Sequence, residues 1–305
     1  MIKIFGHKSP DTDSTGSALI WAWYQNERCG TEATAYVLGQ PNKEALFVLE
    51  RWGFRTPPIL DDVEDGDSVI IVDTNNPNEL PANIANASIV EIIDHHFLTG
   101  GLATRVPIAA TLRPLACTAT IMHDLMAARQ TDIPADIKGL MLSCILSDTM
   151  AFRSPTTTGH DRHVAETLAS DLALDIGTYA DAMFAAKSDL SDCSDAELLE
   201  LDSKLFTIDG LKLRISVLET TKPEQLLSRK DGILAAITQR TAGGDCDQIL
   251  LFIVDILNEA STLLLPNDVV RNIARQSFDI HSDADEVSLP GIISRKKQII
   301  PRIRV

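Results

Sequence analysis

Aromatic side chains are scarce in this chain. Phe, Tyr and Trp make up 5% of its 305 residues, so aliphatic packing must fill most of the core. Cysteine is almost as sparse: Cys29, Cys117, Cys144, Cys193 and Cys246 are widely spaced, odd in number and form no CxxC pair. That pattern excludes a disulfide framework and a structural zinc site, and it predicts a reducing, cytoplasmic setting. No run approaches the ~18 apolar residues of a membrane span, and Met1–Gly6 is too short for the apolar region of a secretory leader. Phosphate-cradling GxGxxG and GxxxxGK[ST] loops are missing, as is a G-x-S-x-G nucleophile elbow, so nucleotide binding by those loops and serine hydrolysis are not expected. Positive charge is also in deficit. Lys and Arg number 27 against 43 Asp and Glu, a formal charge of -16 that disfavours tracking along a nucleic-acid backbone.

What is present reads as an ordinary folded protein, 45% apolar and 23% charged, long enough for two domains. In the first half, short apolar runs alternate with helical patterns. Ile2–Phe5, Ala33–Leu38, Ser68–Val72 and Ser88–Ile93 read as strands, several apolar on both faces. Ser14–Glu27 and Asn42–Trp52 read as helices, with Ser14 capping the first and Gly53 ending the second. After Pro107 come helical patterns at Cys117–Arg129, Pro134–Leu146, Thr158–Leu172 and Thr178–Ala186, with Asp132 as cap and Pro134 in the first turn of the second. This predicts a mostly parallel sheet with helices on both faces. A boundary is expected near residue 190, giving domains 1–189 and 190–305. The second is read as a smaller α/β domain with a mixed sheet: a helix or part of one over Asp195–Phe206, a strand at Leu211–Leu218, a helix over Pro223–Arg240, a hairpin of Gln248–Leu257 with Ser261–Leu265, helix Asp268–Gln276, and a final strand at Gly291–Ile293.

Ligands of open parallel sheets gather at the carboxyl ends of strands, and acids and imidazoles cluster there. His7, Asp11 and Asp13 follow the first strand in a loop containing Pro10. Carboxylates two apart can face one ion or two neighbouring ions, and imidazole with carboxylate suits Mn, Fe, Co or Zn better than Ca. The plainer alternative makes Asp11 and Asp13 a turn and a helix cap. Asp73 ends Val69–Ile70–Ile71–Val72, as a ligand or a loop cap. Asp94–His95–His96 ends the next strand; His95 suits a metal, Asp94 an orienting acceptor, and His96, pointing elsewhere, a substrate. Asp148 falls at a helix C-terminus, a poor place for an uncompensated anion. Asp11, Asp13, Asp73 and Asp148 carry four negative charges, which two divalent ions would neutralise. Far away, Ser294–Arg295–Lys296–Lys297–Gln298 offers phosphate-binding cations or, alternatively, a solvated edge strand. Lys204, read on a helix, by itself suggests only surface.

Gly6–His7–Lys8–Ser9–Pro10–Asp11–Thr12–Asp13–Ser14, Val72–Asp73, Ile93–Asp94–His95–His96, Ser147–Asp148 and the Ser294–Gln298 cluster together resemble the manganese-dependent, or family II, inorganic pyrophosphatases of the DHH phosphoesterase superfamily. The resemblance spans nearly the whole chain and includes Cys117–Thr118–Ala119–Thr120. The basic C-terminal signature is its most discriminating part, since other DHH phosphoesterases tend to end in a glycine-rich motif. The resemblance implies that His7, Asp11, Asp13, Asp73, His95 and Asp148 are metal ligands, Asp73 being shared between two ions. It implies that His96, Lys204, Arg295 and Lys296 contact pyrophosphate and that Asp94 supports the site. It further implies two Mn2+ per subunit, Co2+ as an alternative, Mg2+ arriving with the substrate, an interdomain active site and a homodimer. Two positions depart from the family pattern: Thr74–Asn75 stands where many members carry His–Asn, and Phe97 where a basic residue often follows the histidine pair.

The expected reaction is hydrolysis of inorganic diphosphate to two phosphates by a water bridging two transition-metal ions ~3.5–4 Å apart. The competing readings are a phosphodiesterase or nucleotide phosphatase of the same superfamily, and a metal-dependent binding protein without turnover.

Overall fold

The computed structural model describes all residues except Thr99, Gln130, His281 and Asp283. It divides into two compact units, Met1–Lys187 and Ser188–Val305.

The first unit is built on five strands, β1 (Ile2–Phe5), β2 (Ala33–Ala35), β3 (Ser68–Val72), β4 (Ser88–Asp94) and β5 (Ala109–Leu112), in the order β2-β1-β3-β4-β5. Every pairing between them is parallel. Successive side chains of a strand point to opposite faces, which explains the unbroken apolar run of β3. Ile70 and Val72 join one buried cluster with Ile4, Ile93 and the helices. Val69 and Ile71 join another with Phe5, Ile89 and Ile92, covered by Leu60, Val63, Leu80 and Ile84. The helices are α1 (Thr12–Arg28), α2 (Lys43–Trp52), α3 (Thr118–Ala127), α4 (Ala135–Asp148), α5 (Gly159–Asp171) and α6 (Ile176–Lys187), with 3-10 turns at Pro77–Glu79 and Ile84–Asn86. The mixed α/β architecture with a parallel first sheet is the one expected from the sequence.

Local details differ from expectation. The cap of α1 is Asp11, whose carboxylate accepts from the Ser14 amide at 2.9 Å. Ser14 instead accepts from the His7 amide at 3.1 Å, fixing the loop against the helix. Gly6 makes this possible, because a Cβ there would lie 2.1 Å from Ser14 Oγ. Pro134 occupies the N-cap position of α4 rather than its first turn. β5 was not anticipated: four residues with an exposed-to-intermediate face give little alternation to read.

The second unit has the sheet order β10-β9-β8-β7-β6, made of β6 (Ser203–Ile208), β7 (Leu211–Thr220), β8 (Gln248–Asp255), β9 (Ala260–Leu264) and β10 (Glu286–Pro290). Only the central β7–β8 pair is parallel; the others are antiparallel. β8 again alternates between two cores, Leu250, Phe252 and Val254 against Ile249, Leu251 and Ile253. Its helices are α7 (Asp195–Leu198), α8 (Pro223–Leu227), α9 (Lys230–Ala242) and α10 (Asp268–Phe278). Of Asp195–Phe206 only the first turn is helical, and Asp202, at φ 27°, turns the chain into β6. The single helix expected over Pro223–Arg240 is two.

The residues after β10 also depart from expectation. Gly291 has φ 72°, which ends the strand, and Arg295–Ile299 forms a helical turn. Gln298 stabilises it by accepting from the Ile293 and Ser294 amides at 3.0 and 2.9 Å and donating to the Gly291 carbonyl at 2.6 Å. Arg295 and Lys296 are therefore on a helical turn, not after a strand.

Candidate metal centre

In the first unit, strand geometry gathers the predicted residues at one end of the sheet. His7 follows β1, Asp73 follows β3, and Asp94–His95–His96 ends and follows β4. Asp11 and Asp13 start α1, and Asp148 ends α4. The hub is Asp73. It is 1% exposed and adopts φ 58°, a conformation that costs a non-glycine residue free energy and commonly marks a functional position. Its Oδ2 lies 3.4 Å from His7 Nε2, and its Oδ1 lies 3.2 Å from His95 Nε2. Thr118 Oγ1 donates to Oδ1 at 3.1 Å.

The two imidazoles are oriented alike. His7 Nδ1 lies 2.7 Å from the Lys8 carbonyl, and His95 Nδ1 lies 3.1 Å from the Leu115 carbonyl. A carbonyl only accepts, so each Nδ1 carries the proton and each Nε2 is directed at carboxylate oxygens. Lone pair would then face lone pair unless a proton or a cation intervenes. Burial opposes protonation of His7, but Asp11 and Asp73 outweigh it and raise its pKa to about 11. For His95, burial is likewise outweighed, chiefly by Asp73, and the pKa rises to about 9. Burial would raise the Asp73 pKa, yet the two imidazoles hold it below its ordinary value.

Asp11 and Asp13 point into different subsites. Asp11 groups with His7 and Asp73, whereas Asp13 groups with Asp148 and Cys117, each set with donor atoms within 4.8 Å of one another. Asp13 accepts from Ser17 Oγ at 2.8 Å and from the Thr118 amide at 2.7 Å. Burial first, and then the Asp73 charge, still push its pKa up to about 6. Asp148 is pushed well up by burial and by the charges of Asp13, Asp73 and Asp11. Its Oδ2 is inaccessible to solvent and has no hydrogen-bond partner, though the side chain as a whole is 18% exposed; that atom lies 3.9 Å from His95 Nε2. An orphaned carboxylate oxygen, two directed imidazole nitrogens and a shared carboxylate suit divalent transition metals.

His96 is placed differently. It forms a third compact group with Asp73 and His95, but its Nδ1 is engaged by Asp94 Oδ1 at 2.9 Å, leaving Nε2 directed elsewhere. Asp94 also accepts from the His96 amide at 3.0 Å and from Asn75 Nδ2 at 2.6 Å. Asn75 further donates to the Phe97 carbonyl at 3.1 Å. Thr74 turns away to Glu79 Oε2 at 3.0 Å, and Phe97 is 82% exposed. A cavity of about 350 Å³ opens onto Asp11, Asp73, His95, His96 and Asp148. Thr118 and Cys117 had no assigned role in the sequence reading; nothing in a Cys–Thr pair opening a helix announces that its hydroxyl and amide serve two carboxylates 45 and 105 residues away.

Within the second unit, Lys204, Arg295 and Lys296 line one cavity of about 570 Å³, together with Asp202, Glu219 and Ser294. Lys204 is on β6, not on a helix. Arg295 donates to the Asp202 carbonyl and, at 2.6 Å, to its carboxylate.

Comparison with known proteins agrees with this geometry. Residues 1–147 match the DHH family, N-terminal domain, and residues 181–305 match the DHHA2 domain. A Deinococcus radiodurans protein named a probable manganese-dependent inorganic pyrophosphatase is 39% identical over 310 residues, covering 99% of this chain and 98% of that one. The chain belongs to the manganese-dependent inorganic pyrophosphatase family. A Lactobacillus acidophilus member with the same name is 34% identical over 98% of this chain and 96% of its own. A Methanococcus jannaschii crystal structure assigned to the family II inorganic pyrophosphatases superposes with a TM-score of 0.64 at 30% identity, covering 99% and 98% of the two chains. An exopolyphosphatase-related protein from Bacteroides fragilis shares the fold at 13% identity, with a TM-score of 0.51 over 98% and 89% of the chains. Among the described residues, no helix is long and apolar enough to cross a membrane.

Proposed function

We propose that this chain hydrolyses inorganic diphosphate to two phosphates, using two divalent metal ions held by His7, Asp11, Asp13, Asp73, His95 and Asp148. The observation that carries the reading is Asp73, a buried carboxylate whose two oxygens face two different imidazole nitrogens at 3.4 and 3.2 Å. A carboxylate so placed joins two cation subsites. The names of relatives 39% and 34% identical over almost their full lengths support the substrate and the metal. Bound divalent ions supply charge that polarises phosphoryl oxygens and lowers the pKa of a water held between them.

The protein's own groups do the positioning. Carbonyls of Lys8 and Leu115 hold His7 and His95 with Nε2 forward. Thr118 and Ser17 orient Asp73 and Asp13. Asp94 fixes His96 through Nδ1, so its Nε2 is free to bind a phosphoryl oxygen. We assign Lys204, Arg295 and Lys296 to the pyrophosphate, where their charge offsets that developing on the phosphoryl oxygens and on the departing phosphate. In this reading residues 1–189 form the metal-binding domain, residues 190–305 bind the substrate, and the active site is an interdomain cleft. For Arg295 to reach the anion, its pair with Asp202 must yield.

Mn2+ is the proposed resident ion, Co2+ fits the same donors, and Mg2+ accompanies the substrate. A cytoplasmic location is in keeping with five free cysteines. A homodimer is proposed on the strength of the family membership alone. The test is metal stripping followed by reconstitution with Mn2+, Co2+, Mg2+ or Zn2+ in turn, with phosphate release measured from pyrophosphate and from a dinucleotide. Fastest turnover of pyrophosphate with Mn2+ or Co2+ is expected. Preference for the dinucleotide, or no release from the Mn2+-loaded protein with Mg2+ present, would overturn the assignment.

A further inference from the structure

Glu44 is fully buried, yet none of the roles above uses it. It lies in the first turn of α2, where an acid is favoured by the helix dipole and could equally well face water. Instead, its Oε1 accepts from Thr12 Oγ1 at 2.9 Å. Thr12 is the residue between Asp11 and Asp13, and its carbonyl is held from another side by Cys144 Sγ at 3.3 Å. The other Glu44 oxygen, Oε2, lies 3.1 Å from Lys187 Nζ but off the hydrogen-bonding direction, so that contact is Coulombic. Lys187 ends α6 and is the last residue of the first unit; Ser188 begins the second. One buried carboxylate thus touches the middle of the loop that supplies two proposed ligands and the base of the segment joining the two units.

We propose that Glu44 is a positioning residue that couples the metal-binding loop to the inter-unit segment. The inference rests on the reading of His7–Asp13 as a metal-binding loop. Asp11 and Asp13 serve different subsites, so a small rotation of the first turn of α1 misaims both at once. The Thr12 hydroxyl fixes that turn to Glu44. A buried carboxylate requires a counter-charge, and Lys187 Nζ stands 3.1 Å from this one. Ion binding that orders the loop therefore strengthens the hold on Lys187. By thermodynamic linkage, loosening Lys187 must weaken ion binding by the same factor.

The experiment uses the full chain as wild type, Lys187→Met, Glu44→Gln and the double variant. Mn2+ affinity is read from the paramagnetic resonance signal of free Mn2+, and deuterium uptake of residues 187–192 is measured with Mn2+ or with chelator. Lys187→Met touches no proposed ligand, yet it should weaken Mn2+ binding several-fold. Glu44→Gln should cost about tenfold, as supporting residues of metal sites do, and the double variant should be no worse than Glu44→Gln alone. Mn2+ should slow uptake over 187–192 in the wild type and not in Lys187→Met. Unchanged Mn2+ affinity in Lys187→Met, or single effects that simply multiply in the double, overturns the proposal. If Glu44→Gln does not fold, Lys187→Met and the uptake measurement decide alone. A wild type that shows the coupling but releases no phosphate from pyrophosphate refutes the substrate and leaves the coupling intact, whereas one that binds no Mn2+ refutes both.

Discussion

In the first unit, Asp13, Asp73 and Asp94 are each at most 1% exposed and are held by donors from distant parts of the chain. In the second, Lys204 and Lys296 are exposed and Arg295 is half-buried against Asp202. The contrast fits the roles proposed for each sign of charge. Ion-binding carboxylates have to be fixed close together before the ion arrives, at the cost of mutual repulsion. Cations that meet a mobile anion can stay solvated until it comes, and long Lys and Arg side chains allow that. The first unit therefore stores electrostatic tension, and the second stores almost none.

The largest expected effect comes from breaking the hub. Asp73→Asn should weaken Mn2+ binding more than about 100-fold, beyond the usual cost of losing a mere supporting residue, with pyrophosphate turnover lost in parallel; titration of Mn2+ with an activity assay checks both. Arg295→Ala should instead leave Mn2+ affinity alone and lower kcat/KM by about 10²–10³. If Arg295→Ala also lost metal, the division of labour between the units would be wrong.

Stability sharpens the same contrast. Asp148→Asn should stabilise the metal-free protein, on the order of 1 kcal/mol, by relieving repulsion from Asp13, Asp73 and Asp11, while shrinking the stabilisation that Mn2+ confers. Chemical denaturation with and without Mn2+ separates the two. The pH dependence has a definite sign. His7 and His95 are raised to about 11 and about 9, and Asp13 to about 6. A raised folded-state pKa contributes stability that is fully present below the unfolded value and lost as pH climbs through the folded one. Metal-free protein should therefore lose stability between about pH 4 and about pH 6 as Asp13 ionises, and again from about pH 6.5 through about pH 9 and on to about pH 11 as His95 and then His7 give up their protons. Asp73, held low, acts oppositely and only in acid. With Mn2+ in place of those protons the alkaline decline should flatten, and an identical decline with and without Mn2+ would count against ion binding there. The smallest effect is expected in the second unit: Asp202→Asn removes the exposed partner's charge from a part-buried ion pair and should change stability by less than about 1 kcal/mol, with a modest, salt-sensitive fall in KM.

Much of the first unit was legible. β3 and β4 declare themselves by their β-branched residues and β1 as a short apolar run, and acids or imidazoles at or just after their ends mark the candidate site. Asn42 and Gly53 bracket α2 as cap and left-handed terminator, as local chemistry requires. Misreadings occurred where local signals were ambiguous. Asp11 serves as a cap as well as a candidate ligand, two readings that looked like alternatives. At Lys204 and Arg295 the pattern misleads, because Leu205–Phe206 and Ile292–Ile293 fit either periodicity and Asp202, Gly291 and Gln298 decide the backbone there. The Glu44 contact had no sequence signal at all.

The sequence by itself determined the kinds of donors, their attachment to strand ends and helix termini, and the family, because these are properties of short segments. The tertiary structure alone decided that Asp11 and Asp13 part toward different subsites, that Asp73 stands between two imidazoles, and that Thr118 and Glu44 hold the set in place. Those facts depend on angles and distances of a few ångströms between residues far apart in the chain, and no local pattern encodes a distance.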